Sequence, residues 1–345
     1  MLNPFNLTES GVPAGTREVL ALQIATAQAA AQLQVKEASS PLFERFARTN
    51  SAPELRRAIL PALASLRAGQ LPEAVKLALS DSDPQLRAAA LPYLDQLDGG
   101  DSVALLAGLL PSSPTNAALN VPLAQAALAV LGRTPGSAAD SVLSSQLELW
   151  AAGQLPAELR LDVAAAARVR SAQDPEWTAR LTRVLGAPVE SASAWFPLVQ
   201  VGGQAARGRE VFWNNPTVQC LRCHKVGTDG GIVGPNLSDI GRRFPREYLL
   251  ESVVNPNARF SAGFESAVVT LRNGETHAGT VKREDDRELV LEVTDGESGQ
   301  TRLLTLPKLE VSQRERGLSA MPEGLAEQLT PFELRDLVEY LSSLK

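Results

Sequence analysis

Apolar residues recur at a helical period along most of this chain, and the period changes to alternation in one stretch. Between Glu265 and about Val311 apolar and polar residues alternate in four runs, with Asn273-Gly274 between the first two and a turn expected at Asp295-Gly296 before the last. The predicted strands are Ala267–Leu271, Thr276–Arg283, Glu288–Val293 and Thr301–Leu306. Alternation predicts strands with one buried face, and Asn-Gly between two such runs is the strongest short hairpin signal. The pattern therefore predicts a mainly helical protein that contains one small β-sheet or SH3-like barrel.

A helix-start signal recurs in the first half of the chain. Four leucines, each just after a Pro or Ala at the start of a helical segment, are spaced by 31, 37 and 36 residues: Leu55, Leu86, Leu123 and Leu159. Repeats of this length with paired helices resemble a HEAT-like α-solenoid, in which neighbouring units bury one another's apolar faces. A non-repeating helical bundle is the alternative.

The chain has 345 residues, which allows two or three domains of roughly 100–200 residues each. The segment from Gly186 to Gly203 contains Pro, Ser and Ala, a composition typical of a linker. We predict a HEAT-like helical domain over residues 1–187 and a linker over 188–203. A second domain would follow over 204–345, with the β segment inserted at about 265–311.

Charge and hydrophobicity argue against nucleic acid as a partner and against a transmembrane helix. The net charge is −6, and no run is rich in Lys and Arg, so nucleic acid is not an expected partner. No stretch of apolar residues is long enough for a transmembrane helix. The first residues also lack the charged segment and apolar run of a signal peptide.

Both cysteines of the chain stand in one motif, Cys220-Leu221-Arg222-Cys223-His224. C-x-x-C-H is typical of c-type haem attachment, in which two thiols bond to the haem and the adjacent imidazole coordinates the iron. A structural zinc site needs four ligands, whereas the chain has only two Cys and two His. A thioredoxin-like pair requires a surrounding βαβ pattern, and a disulfide here would close a small, strained ring. The motif predicts one covalent haem c with His224 as an iron ligand.

The second axial ligand is predicted by elimination. Met or His normally fills this position, and apart from Met1 and His224 the chain offers only Met321 and His277. Met321 lies in a loop before the last predicted helix, which begins at a capping box, Thr330-Pro331-Phe332-Glu333. We expect Met321 to be the ligand, and His277 or an open position are the alternatives.

Other residues near the motif are candidates for contacts with the same cofactor. A metal-bound histidine usually donates its other ring N–H to a carbonyl, and the Pro235 carbonyl is the expected acceptor for His224. Arg242 and Arg243 could pair with the haem propionates, although a solvated role would explain either. Trp213 could line the haem pocket or donate its indole N–H, although simple packing would also explain it.

From about Ala205 to Lys345 the sequence resembles the haem-binding cytochrome c domain of Planctomycetes and Verrucomicrobia. The matching segments are Gly208-x-x-x-Phe212, Cys220-x-x-Cys223-His224, Gly234-Pro235-Asn236-Leu237, Ser252-Val253-Val254-Asn255-Pro256, Gly274 with Gly279, Met321-Pro322 and Asp336-Leu337-Val338-Glu339-Tyr340-Leu341. The resemblance implies His224/Met321 ligation and a class I-like cytochrome c fold, in which the helix with Gly208 crosses the last helix near Tyr340. Members of this family often carry HEAT-like helices before the cytochrome.

Together these features predict an electron carrier and not an enzyme. A His/Met ligand set fills both axial positions and leaves no place for a substrate on the iron. The expected partner is a redox protein, either a dehydrogenase or another cytochrome. Because haem c is attached outside the cytoplasmic membrane, we expect a periplasmic or otherwise exported protein, present here as a mature form or as a piece of a longer one. A haem sensor or enzyme with a labile sixth ligand, and an interaction scaffold stabilised by haem, are the alternatives.

Overall fold

The computed structural model describes residues 17–96, 101–112, 119–172, 174–188, 195–294 and 300–345. The chain divides into two compact units, Met1–Glu190 and Ser191–Lys345. Within the described ranges, no helix is both long and apolar enough to cross a membrane. Part of the predicted linker, residues 189–194, and the predicted turn at Asp295-Gly296 lie outside the described residues.

The first unit is helical throughout its described part, and short 3-10 helices join some of its α-helices. Its core consists mainly of Leu and Ala side chains, which are fully buried between neighbouring helices. The α-helices are α1 Arg17–Gln32, α2 Ser39–Ala47, α3 Pro53–Ser65, α4 Leu71–Leu79, α5 Pro84–Ala90, α6 Asp101–Ala107, α7 Val121–Arg133, α8 Ser137–Ala151, α9 Ala157–Ser171 and α10 Pro175–Leu185.

Helix starts in this unit follow from capping chemistry. The side chains of Asp83, Asn120 and Asp174 accept hydrogen bonds from backbone N–H groups in the first turns of α5, α7 and α10. A proline stands in the first turn of each of these helices, where its missing N–H leaves no donor unpaired. The sequence therefore specifies these helix starts locally.

The fold class predicted from the sequence, a mainly α protein that begins with a HEAT-like solenoid, is wrong. The chain is mixed, because its described residues form fifteen α-helices and a five-stranded antiparallel sheet. The solenoid is not confirmed. The recurring signal does mark the starts of α3, α5, α7 and α9. A helix-start signal specifies where a helix begins but not how successive helices stack, so it was insufficient to predict a solenoid.

In the second unit, short helices surround the last helix of the chain. Its α-helices are α11 Ala205–Asn214, α12 Cys220–Cys223, α13 Ile240–Arg243, α14 Arg246–Val254 and α15 Pro331–Ser343. Helices α11, α13 and α14 and the 3-10 helix Phe196–Val199 all pack against α15. The predicted capping box is confirmed, since Thr330 and Glu333 exchange side-chain and backbone hydrogen bonds at the start of α15.

Helices α11 and α15 cross so closely that their backbones are in contact. A Cβ atom on Gly208 would overlap the carbonyl oxygen of Asp336, so only glycine fits at this crossing. One turn further along α11, the rings of Phe212 and Tyr340 lie 5.6 Å apart between centroids. The N–H of Gln204 donates to the carboxylate of Asp336 over 2.7 Å and closes the start of α11. The structure thus contains the crossing of these two helices near Tyr340 that the resemblance implies, while the resemblance itself stays a prediction.

The second unit also contains the strands. The pair β1 Lys225–Val226 and β2 Asp229–Gly230 forms a short hairpin. The larger sheet is antiparallel, in the order β6-β5-β4-β3-β7, and four of its five strands coincide with predicted runs. Its strands are β3 Ser266–Leu271, β4 Thr276–Glu284, β5 Glu288–Thr294, β6 Thr301–Pro307 and β7 Val311–Arg316.

This five-stranded sheet supplies its own core. Seven side chains from four of its strands are buried together: Ala267, Val269, Leu271, Val281, Leu289, Leu291 and Leu306. Its first and last strands are neighbours, with Ala267 opposite Arg316. The two ends of the inserted segment therefore lie side by side, and each leads back to the helical part of the unit.

Candidate functional site

The Cys220–His224 motif forms a single helical turn. Helix α12 consists of Cys220–Cys223 alone, and both cysteines are free and partly exposed. Residues three apart lie on the same side of a helical turn, so both thiols are presented to one side. The N–H of His224 donates to the Cys220 carbonyl over 3.0 Å, after which the chain becomes extended.

The imidazole of His224 is held in one orientation. Its Nδ1 lies 2.9 Å from the carbonyl oxygen of Pro235, and because a carbonyl can only accept, Nδ1 carries the proton. The hydrogen bond predicted for this pair is confirmed, whereas the role of Pro235 beside a cofactor stays a prediction. In the neutral ring Nε2 then has a free lone pair, and none of the described residues donates to it.

Burial and packing favour the form of His224 that can bind a metal. Burial lowers the pKa of its imidazole, and the hydrogen bond to Pro235 opposes this effect in part. The neutral ring is the form that coordinates metal ions. Gly234 lies against the ring, and a Cβ there would come within 2.6 Å of the imidazole Cε1. The glycine thus leaves the space that the ring occupies.

A glycine-rich loop is wrapped around the motif by backbone hydrogen bonds. Gly231 donates to the Leu221 carbonyl and Gly234 donates to the Cys223 carbonyl, each over 2.9 Å. A Cβ on Gly230 would overlap the His224 carbonyl, and one on Gly231 would overlap the Arg222 carbonyl. The sequence analysis did not identify Gly230 and Gly231 as contacts of the motif. The density of glycines was the available signal.

The thiol of Cys220 is poorly ionised. Its pKa is raised to about 11, first because burial disfavours the thiolate and then because Cys223 is close. A backbone hydrogen bond opposes this shift only in part. Because the thiolate is the reactive form of cysteine, Cys220 is expected to react slowly at neutral pH in the haem-free chain.

Trp213 lies at the helix crossing beside the motif. Its indole N–H donates to the Tyr340 hydroxyl over 2.9 Å, and the Arg209 guanidinium lies 4.6 Å above its ring. The hydrogen bond joins α11 to α15, whereas the Arg209 contact lies within α11, and α11 also packs against α12. Packing and hydrogen bonding account for Trp213 in the chain as described, and its contact with a cofactor stays a prediction.

Both arginines that were predicted as propionate partners pair with one carboxylate. Arg242 lies 3.2 Å from Asp239 and its side chain is 71% exposed, while Arg243 lies 3.0 Å from the same residue. Arg243 also donates to the Asn236 carbonyl over 2.7 Å, next to Pro235. Asp239 was not identified from the sequence. A propionate role for Arg242 or Arg243 stays a prediction.

Met321 lies in the loop between β7 and α15 and is half-buried. Its N–H donates to the Ser319 hydroxyl over 3.1 Å. His277, the alternative ligand, lies on β4 opposite Val269, and its Nε2 is 3.9 Å from the Glu275 carboxylate. Within the described ranges, no hydrogen bond or ion pair joins either residue to the Cys220–His224 turn.

The donor set fits a haem and not a metal site built from protein ligands alone. Among the residues that the structure describes, no three His, Cys, Asp or Glu side chains are grouped so as to hold a metal ion. A haem iron takes four ligands from the porphyrin and needs only axial ligands from the protein. Cys220 and Cys223 on one turn, followed by an imidazole with a fixed tautomer, would supply two attachment points and one iron ligand to such a group.

Comparisons with known proteins found no match, so the interpretation of the site depends on its geometry. No protein-family model matches the chain, and no curated protein shows significant similarity to it.

Proposed function

We propose that this protein is an electron carrier with one haem c bound covalently through Cys220 and Cys223. The observation that carries the proposal is the state of His224. Its Nδ1–H is committed to the Pro235 carbonyl and its ring lies against Gly234, so Nε2 is the atom left to bind iron. This arrangement directly follows a turn with two free thiols, the residue types that haem attachment requires.

The residues of the chain divide the binding among them. Cys220 and Cys223 would hold the haem through two thioether bonds from one side of a helical turn. His224 would be one axial ligand, with its orientation set before binding, and Met321 would be the other. When bound, the haem supplies a one-electron couple at its iron. Ligation by the sulfur of a methionine raises the reduction potential of that couple. With both axial positions filled by the protein, the proposed role is electron transfer and not catalysis.

A redox protein, either a dehydrogenase or another cytochrome, is the proposed partner. Ile232 and Val233, in the loop next to the motif, are 83% and 58% exposed. Exposed apolar side chains beside a redox site favour contact with another protein. Since covalent attachment of haem c requires maturation outside the cytoplasmic membrane, we place the protein in the periplasm or another exported location.

The optical spectrum of the protein tests this proposal. The chain is exported together with a c-type haem maturation system, because cytoplasmic expression without that system could leave it without haem. We expect a haem that stays attached after denaturation, a low-spin spectrum, and a sulfur-to-iron charge-transfer band in the oxidised protein. The band should disappear in Met321→Ala.

A different spectrum would contradict the carrier. A covalent haem that lacks the charge-transfer band and binds CO readily in the reduced wild type would favour a sensor or an enzyme. Absence of covalent haem after export with a working maturation system would overturn the attachment itself. A second exported cytochrome c, matured in parallel, serves as the control for the maturation system.

A further inference from the structure

One side chain from another part of the chain holds the loop that contains Met321. The Oδ1 of Asn257 accepts the N–H of Ser319 over 2.7 Å, and its Nδ2 donates to the carboxylate of Glu323. Ser319 precedes Met321 by two residues and Glu323 follows it by two. A single amide therefore spans the loop on both sides of Met321.

The hydrogen bonds continue from Asn257 to Met321 itself. The Ser319 hydroxyl accepts the N–H of Met321 over 3.1 Å, while the Ser319 N–H is the group bound by Asn257. Both polar ends of the half-buried Asn257 amide are thus used within this loop. Loss of the amide would release the backbone before Met321 and the side chain after it.

The five-stranded sheet keeps Asn257 and the Met321 loop together. Asn257 lies before β3, and Met321 lies after β7, the strand paired with β3. At this end of the sheet Arg316 donates to the Ala258 carbonyl over 3.2 Å, and its guanidinium lies 4.2 Å above the Phe260 ring. The two segments that leave the sheet are therefore joined by contacts independent of Asn257.

We propose that Asn257 is a positioning residue for Met321, and that the inserted sheet serves to bring the two together. The inference rests on the proposed function, in which Met321 is the second axial ligand. Loss of the Asn257 side chain should affect only the Met321 side of the iron. Without the Asn257 amide the haem stays attached through Cys220 and Cys223 and keeps His224, while Met321 is no longer held in place.

Four variants separate positioning from general stability. Asn257→Ala removes both hydrogen bonds. Asn257→Asp keeps the acceptor for Ser319 but sets a second carboxylate against Glu323. When Asn257→Asp is combined with Glu323→Gln, an amide again faces a carboxylate at these two positions, with the two groups exchanged. The hydrogen bond between positions 257 and 323 can therefore form again. Asn273→Ala is the matched control, because Asn273 caps the β3–β4 hairpin at the far end of β3 by accepting the Glu275 N–H over 2.9 Å.

Each variant is exported with the haem maturation system and measured as the haem-loaded protein. All should carry covalent haem. The sulfur-to-iron charge-transfer band should be weakened or lost in Asn257→Ala and Asn257→Asp, and the reduced forms of both should bind CO. Wild type, Asn273→Ala and the double variant should keep the band and resist CO. The rescue by Glu323→Gln would not follow from a merely structural role of Asn257.

The outcomes that overturn the proposal differ from those that overturn the function. If wild type shows the band and Met321→Ala loses it, but both Asn257 variants keep it and resist CO, Asn257 does not position Met321 and the carrier function stands. If wild type carries haem but lacks the band, the proposed ligation fails, and the role of Asn257 fails with it.

Hydrogen exchange in the haem-free chain gives a second measurement that does not depend on maturation. The Ser319 amide should exchange roughly tenfold faster in Asn257→Ala, because its acceptor is gone. It should remain slow in Asn257→Asp, which keeps the acceptor, and in Asn273→Ala. Equal exchange in wild type and Asn257→Ala would overturn the proposal even if the alanine variant fails to mature.

Discussion

The two proposed iron ligands, His224 and Met321, are positioned in different ways. The ring of His224 is oriented by Pro235, eleven residues later in the chain, and by the glycine between them. The loop of Met321 is held by Asn257, which is 62 residues from Ser319 and 66 residues from Glu323. One side of the proposed site is therefore built from neighbouring residues, and the other from residues that meet only when the five-stranded sheet has folded.

This difference determines which changes affect each side. Local contacts need only a short loop to close, whereas contacts across a long insertion depend on the stability of everything within it. A change near His224 should leave the Met321 loop in place, and a change at the base of the sheet should leave His224 in place. Only a change in the helices that carry both sides should affect the two together.

Gly208→Ala should have the largest effect, because it acts on the helices that both sides share. A Cβ at this position overlaps the backbone of Asp336, so α11 and α15 cannot keep their distance. We expect the free energy of unfolding to fall by about 3 kcal/mol or more, measured by urea denaturation. In Gly69→Ala, where the added Cβ meets no atom within 4 Å, the change should stay within about 0.5 kcal/mol. An unchanged midpoint in Gly208→Ala would refute the close crossing.

Reaction of Cys220 with iodoacetamide should be slow in the folded, haem-free chain. Its pKa of about 11, against an ordinary 9.0, leaves roughly a hundredfold less thiolate at pH 7. The rate at Cys220 should therefore rise about tenfold per pH unit and level off only near pH 11. Because the folded-state pKa is the higher one, the native state should also lose stability as the pH rises from about 9 to about 11.

Mass spectrometry of the labelled peptide measures the rate at Cys220. The denatured chain is the internal control, since burial no longer raises the pKa there. Equal rates in the folded and denatured chains at pH 7 would show that this side of the site is not buried. That result would also weaken the contrast between the two sides.

Gly234→Ala should disturb His224 alone. The added Cβ comes within 2.6 Å of the imidazole, so the ring must move and its hydrogen bond to Pro235 should weaken. We expect a loss of about 1–2 kcal/mol in stability and loss of the Nδ1–H signal in NMR spectra of the haem-free chain. Exchange of the Ser319 amide should not change. Faster exchange there would mean that the two sides are coupled.

Arg316→Ala should have the smallest effect and should act on the Met321 side only. It removes the hydrogen bond to the Ala258 carbonyl and the contact with the Phe260 ring, together about 1 kcal/mol. Exchange of the Ser319 amide should become several-fold faster, while the His224 Nδ1–H signal stays. Arg314→Ala is the control, because Arg314 on the same strand pairs with Glu284. An equal effect of both variants would refute a specific contact at the base of the sheet.

The parts of the fold that sequence reasoning predicted correctly are those set by short-range chemistry. The capping box at Thr330, the hairpin at Asn273-Gly274 and the hydrogen bond between His224 and Pro235 each involve residues close in the chain. Strand β7 was missed, because all its residues after Val311 are exposed and polar and so show no alternation. Pairing with β3, and not its own pattern, makes that segment a strand.

Local sequence patterns specify the capped helix starts, four strands of the sheet and the hydrogen bond between His224 and Pro235. These follow from capping, periodicity and contacts across a few residues, which act whatever the rest of the chain does. How the helices pack, for which the predicted solenoid is not confirmed, and the contact between Asn257 and the Met321 loop depend on the tertiary structure. Such contacts depend on which distant surfaces bury one another, and no short stretch of sequence contains that information.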